Sequence, residues 1–153
     1  SVTDQQLANI ERGAFLTGVR MIKEAIELDA ENDTLELALA DWRWFYGRSG
    51  DAVRIYERLA IKAPELFSEP VELPHGLIVA SPLPVTEVAQ ATFSFVVTTR
   101  GRVREIIEIS STSGTRDAIR IKKGLRKLRF RPALDATADP VKATVTKTYR
   151  ETR

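Results

Sequence analysis

Apolar residues recur at three- and four-residue steps as far as Pro64, and at every second residue from Phe93 onward. The first spacing lines one side of an α-helix, and the second lines one face of a β-strand. One regular element cannot satisfy both, so the chain must divide into a helical part and a sheet-bearing part. Five of the seven prolines, Pro64, Pro70, Pro74, Pro82 and Pro84, fall between the two. A proline-rich stretch reads as an extended connector. The expected organisation is a helical segment over residues 1–63, a connector over 64–90 and a second domain over 91–153, an α+β chain.

Charge divides at the same place. Residues 1–90 carry 8 Lys and Arg against 15 Asp and Glu, a net of −7; residues 91–153 carry 15 against 6, a net of +9. Such asymmetry marks two units and makes the second half a candidate for anionic partners. The alternative is that the acidic half docks on the basic half. At 43% hydrophobic and 29% charged residues, the composition is that of a globular chain and excludes disorder.

Absences exclude several chemistries. With no cysteine, disulfides, thiolate catalysis and zinc–thiolate sites are ruled out. The single histidine, His75, lies in a Pro74–Gly76 turn and is expected to be structural or solvated, because a metal site needs convergent ligands. No phosphate-binding loop, nucleophile elbow or metal-spaced cluster appears. We therefore expect no enzyme, no cofactor and no metal. No apolar run approaches the roughly 20 residues that span a bilayer. The start at Ser1 suggests an upstream segment, a leader or an anchor, removed from this chain.

The first helix is expected over residues 4–30, with Thr3 and Gln6 at capping-box spacing. Leu7, Ile10, Ala14, Gly18, Met21, Ala25 and Leu28 make one stripe, and Phe15, Val19, Ile22 and Ile26 an adjacent one. Gly13 and Gly18 would let another helix come close. Asp33 with Glu36 can cap a second helix, whose face is Leu35, Ala38, Trp42 and Phe45. Gly47 and Gly50 mark a turn. A third helix runs from Asp51 to about Lys62 with Ala52, Ile55, Tyr56 and Leu59 on one side, and Pro64 ends it. Trp42, Tyr46, the glycine turn, Ala52, Tyr56 and Pro64 together resemble a tetratricopeptide-type helix pair, in which a small residue lets two helices cross and an aromatic fills the groove. The match is about thirty residues long, its glycine-to-alanine spacing is short, and a plain antiparallel helix hairpin is the alternative.

The second half reads as strand, strand, helix, strand. Phe93, Phe95 and Val97 alternate with polar or smaller residues; Arg100-Gly101 signals a tight turn; Val103, Ile107 and Ile109 alternate with Arg104, Ile106 and Glu108. Residues 117–128 return to helical spacing through Ala118, Ile121, Leu125 and Leu128, and Phe130 and Pro132 end that helix. In the last strand Val141, Ala143, Val145 and Tyr149 face one way, and Lys142, Thr144, Thr146 and Thr148 the other. One helix then covers one face of a three-stranded antiparallel sheet. The apolar connector residues Leu77, Ile78, Val79, Leu83 and Val85 are expected to pack along a surface.

Residues 93–149 resemble the C-terminal domain of the TonB family. The pattern is carried by Gly101-Arg102-Val103, by Ile107-Glu108-Ile109-Ser110-Ser111, by the run Leu128-Arg129-Phe130-Arg131-Pro132-Ala133 after an amphipathic helix, and by Pro140-Val141 leading a Thr-rich strand to Tyr149. The chain departs from the pattern in lacking a Tyr-Pro pair and a glycine ahead of the first strand. It also has Ala138-Asp139 where a glycine often precedes Pro-Val. A helical segment stands where TonB itself has an anchor and a long Pro-rich spacer, so coupling to an inner-membrane motor does not follow. The resemblance implies a periplasmic protein-interaction module that captures an extended peptide of an outer-membrane transporter or envelope protein at a sheet edge, in the service of transport. An inner-membrane energy-transducing complex is the other partner it suggests.

The ββαβ order puts the last strand beside the first, giving the order 2-1-3 and leaving residues 142–149 as an open edge. Lys142, Ala143, Thr144, Val145, Thr146, Lys147, Thr148 and Tyr149 are the candidate peptide-binding residues. An open edge is either guarded, often by lysines, or accepts a guest strand. Its alternative occupants are residues 77–85 or a second copy in a homodimer. The helix is strongly basic: Arg116, Arg120, Lys122, Lys123, Arg126, Lys127, Arg129 and Arg131 accompany a single acid, Asp117. A solvated face with cations near the helix C-terminus accounts for it, and so does an anionic partner. Nucleic acid is disfavoured because Phe93, Phe95 and Phe130 sit on apolar faces and not among the basic residues.

Overall fold

The structure, a computed structural model, describes residues 3–74, 88–111 and 115–152. It is α+β and divides into two compact units, Ser1–Leu66 and Phe67–Arg153.

The first unit is three helices, α1 (Asp4–Leu28), α2 (Asp33–Phe45) and α3 (Ser49–Lys62). The expected capping box forms: Thr3 Oγ1 accepts from the Gln6 amide and Gln6 Oε1 accepts from the Thr3 amide. At α2 the cap is Asn32 and not Asp33, as the sequence suggested. The Asn32 carboxamide oxygen accepts from Thr34 N and Leu35 N, because it alone precedes the first free amides at the right distance. Gly47 takes a φ of +81° in the following turn, whereas Gly50 lies inside α3.

α2 packs against both neighbours, and this redraws its expected face. Trp42 turns toward α1, where its indole Nε1 donates to Phe15 O at 3.0 Å, and its ring meets that of Tyr46 at a tilt, with centres 5.0 Å apart. Leu39, Ala40 and Trp44, outside the expected face, are the buried residues of α2, with Trp44 against Tyr56 of α3. Ala52, Tyr56 and Leu59 complete that side, and the Tyr56 hydroxyl lies 2.7 Å from an Asp41 carboxylate oxygen. The α1 stripes behave differently from one another. Phe15, Val19, Ile22 and Ile26 are half-buried, whereas Leu7, Ile10, Met21 and Leu28 are at least 50% exposed. α1 packs mainly against α2 in this unit, and one such neighbour covers only one side of a helix.

The second unit begins earlier than the expected boundary. Phe67 and Leu73 are buried, β1 (Val71–Glu72) pairs antiparallel with β4 (Phe130–Arg131), and Leu73 N donates to Arg129 O. Residues 67–74, read as connector, are thus part of this fold. His75 and the apolar stretch 77–85 lie outside the described residues.

The main sheet joins β2 (Val88–Val97), β3 (Val103–Ser111) and β7 (Ala143–Thr152) in the order β3-β2-β7, all antiparallel, the expected 2-1-3 arrangement. Helix α4 (Thr115–Leu125) lies on one face; a short hairpin of β5 (Ala133–Leu134) and β6 (Pro140–Val141) leads into β7. The core contains Ala91, Phe93, Phe95, Val97, Val103, Ile121, Leu125, Leu128 and Phe130. Burying each of these larger side chains stabilises the fold by about 1.5–3 kcal/mol. The helix stops at Leu125, short of the expected 128, and Phe130 does not end it but lies in β4. There its ring is 5.7 Å from that of Phe95 and its amide donates to Gly101 O, fastening the segment after α4 to the hairpin turn. Gly101 has a φ of +75° in that turn, where Thr98 Oγ1 accepts from the amides of Arg100 and Arg102.

The second strand departs from simple alternation. Ile106 packs on the core, while Ile107 and Ile109 are 63% and 57% exposed. Register shifts between Ser94 and Val96 and between Thr92 and Phe93 each leave an extra residue on β3, and Glu105 takes a φ of 53°. A bulge exchanges the two faces of a strand beyond it, and no hydrophobic pattern announces one.

Candidate functional site

Along β7 the ladder with β2 is unbroken from Val88↔Thr152 to Val97↔Ala143. Side chains therefore alternate strictly. Ala143, Val145, Lys147 and Tyr149 lie opposite Val97, Phe95, Phe93 and Ala91 on the core face. Thr144, Thr146 and Thr148 lie opposite Val96, Ser94 and Thr92 on the other face, exposed to solvent. The hydroxyls of Thr92 and Thr148 are 2.6 Å apart. Among the described residues no strand pairs with the outer edge of β7. The other edge, β3, carries the two bulges. Seven of the eight expected edge residues are thus in β7; Lys142 is exposed in the link before it.

The edge lysines differ. Lys147 Nζ is 3.0 Å from a Glu72 carboxylate oxygen and 5.3 Å from the Tyr149 ring centre. The Tyr149 hydroxyl donates to the other Glu72 oxygen at 3.2 Å. Burial, and then the Glu72 carboxylate that accepts this bond, push the Tyr149 phenol well above its usual range. Glu72 was not anticipated. It comes from a two-residue strand inside the presumed connector, and pairing across such sequence distance leaves no local signal.

The basic segment separates into three environments. Lys123 and Arg120 are exposed on α4, Lys122 is half-buried, and Arg126 and Lys127 are exposed in the turn that ends the helix. Arg129 is half-buried and forms an antiparallel bridge with Arg102; burial, then the facing Arg102 charge, lower its proton affinity. Arg131 is 7% exposed, its guanidinium 5.6 Å from the Phe67 ring centre, so it belongs to the packing and not to an outer surface. The Arg116 side chain lies outside the described residues.

The four expected repeat-packing residues are split between two interfaces. Trp42 and Tyr46 group with Phe15 of α1, and Tyr46 and Phe15 ring centres are 5.5 Å apart. Ala52 and Tyr56 are buried on the α3 side with Trp44. Among the described residues no three acidic or histidine side chains gather as metal ligands would, and no helix is long and apolar enough to cross a membrane. No protein-family model matches this chain, and no curated protein does so.

Proposed function

We propose that the second unit is a non-catalytic, TonB-like protein-interaction module that takes an extended peptide onto β7 by strand addition. The observation that carries this reading is the contrast between the two sheet edges. β3 is bent by two bulges and a left-handed Glu105, the usual blunting of an edge. β7 is regular over ten residues and has no strand beyond it among the described residues. A regular edge offers a guest strand a row of backbone hydrogen bonds, and alternate side chains set the specificity. The exposed Lys142 favours an acidic guest. By the family resemblance, the partner is a peptide segment of a membrane transporter or another envelope protein, and the setting is the periplasm, in support of transport across the outer membrane.

The test is a backbone-amide NMR titration of the full chain with short peptides from the N-termini of outer-membrane transporters. Shifts concentrated on residues 142–150 are expected. A silent β7 whose amides already resist exchange in the free protein would sink the reading and mark the edge as covered, by another part of the chain or by a second copy.

A further inference from the structure

We propose that the outer face of α4 and the turn after it form a docking surface for anionic lipid bilayers. Lys122 and Lys123 on α4, Arg126 and Lys127 in the turn that ends it, and Arg129 bridged to Arg102 make no ion pair among the described residues. Asp117 is the only acid in residues 116–131, and the next along the chain is Asp135. The Arg102–Arg129 bridge sets two guanidinium-bearing residues directly opposite one another, an arrangement that repels unless an anion lies between them.

Charge alone would suit any polyanion. The apolar content of the same face selects among them. Ala118, Ile121 and Leu125 turn into the core, but Ile119 is 50% exposed. Helical spacing puts Ile119 beside Lys122 and Lys123, one turn on. A cation-ringed isoleucine suits the headgroup–acyl boundary, which accepts an apolar side chain between phosphate contacts. Single-stranded nucleic acid would instead need exposed aromatic rings, and Phe93, Phe95 and Phe130 are buried. A duplex offers Ile119 at most a thymine methyl, and a purely acidic chain offers it no apolar surface.

The experiment is co-sedimentation of the full chain with vesicles of phosphatidylcholine, alone or mixed with phosphatidylglycerol. Binding to duplex DNA and to polyglutamate is measured in the same buffer. Retention by the phosphatidylglycerol vesicles only, released by salt, is expected. Each cation at such a surface is worth about fivefold in binding, so the double variant Lys123→Glu/Arg126→Glu should lose at least about twentyfold. Ile119→Asn should weaken vesicle binding several-fold and leave DNA and polyglutamate unchanged. All three positions are exposed, and circular dichroism checks that the variants fold. Failure of the anionic vesicles to retain the chain, or indifference of retention to Ile119→Asn, overturns the proposal. A soluble polyanion bound as tightly as the vesicles also overturns it and assigns the surface to that polymer.

Discussion

Tyr149 donates its phenolic hydrogen to Glu72, 77 positions earlier in the chain, and so fastens the last strand of the sheet to β1. The same carboxylate holds Lys147. Because the folded state raises the phenol's pKa, the tyrosine keeps its proton to higher pH when folded than when unfolded. Its contribution to stability is complete below the unfolded tyrosine range near pH 10 and is lost as pH climbs beyond it. Tyr149→Phe should cost about 1 kcal/mol at neutral pH, through the lost hydrogen bond. It should also lose less stability than the parent between pH 9 and pH 11. Urea midpoints followed by far-ultraviolet circular dichroism at the two pH values measure this; equal alkaline losses in parent and variant would remove the tyrosine from the account.

Gly18 and Gly13 lie on one helix and should respond oppositely to alanine. A Cβ on Gly18 would collide with the Trp42 indole, while a Cβ on Gly13 would meet nothing within 4 Å. Gly18→Ala gains helix propensity but must displace a ring that is also tied to Phe15 O, for a net loss of about 1–2 kcal/mol. Gly13→Ala should stabilise by up to about 1 kcal/mol. Both tryptophans of the chain are in the first unit, so tryptophan fluorescence during urea unfolding reads this unit directly.

Among the described residues, two without glycine's freedom occupy left-handed backbone, Glu105 at φ 53° and Ala138 at φ 62°. Ala138 stands in the turn between β5 and β6, near the place where the resembled family often has a glycine. The turn is nevertheless held: Asp135 Oδ1 accepts from Thr137 N, Thr137 Oγ1 and Asp139 N, which keeps its carboxyl below the usual range. The left-handed conformation costs a non-glycine residue about 1–2 kcal/mol, and glycine returns part of that as entropy of the unfolded chain. Ala138→Gly and Glu105→Gly should each therefore raise stability by about 0.5–1 kcal/mol. A drop in thermal midpoint for either would mean that its side chain makes a compensating contact.

These two positions also mark where the sequence stopped being informative. Elements with a sustained period were legible: α1 with its Thr3 cap, the Ala52–Tyr56–Leu59 side of α3, the Phe93–Phe95–Val97 face and the 2-1-3 strand order. Single stripes misled wherever an element met neighbours on two sides or on fewer than expected. α2 buries Leu39, Ala40 and Trp44 because it packs against both α1 and α3, and Leu7, Ile10, Leu16, Met21 and Leu28 of α1 stay at least 50% exposed. Bulges erased the alternation in β3. At the candidate edge the strand and its faces were legible from the Thr–Val alternation. Glu72 was not, because a two-residue strand is too short to show a period, and its partner is nearly sixty residues away along the chain.

The edge lysines were indistinguishable in sequence, and the structure gives them separate duties. Lys142 is exposed and makes no ion pair among the described residues, whereas Lys147 is held by Glu72 and Tyr149. If β7 takes an acidic peptide, Lys142 is the cation free to meet it. Lys142→Gln should weaken binding of an acidic peptide several-fold and leave the urea midpoint unchanged. Lys147→Gln should do the reverse, lowering stability by less than about 1 kcal/mol, as a partly exposed pair would, with little effect on the peptide. Glu72→Gln provides the control. It releases Lys147 and leaves Tyr149 a neutral acceptor in place of the carboxylate. An acidic peptide should then bind more tightly through two available lysines, with only a small loss in the urea midpoint. Titration calorimetry on the three variants separates the cases. Equal losses of affinity at Lys142 and Lys147 would show that the peptide competes successfully with Glu72, and would move the contact point to the Tyr149 end of the strand.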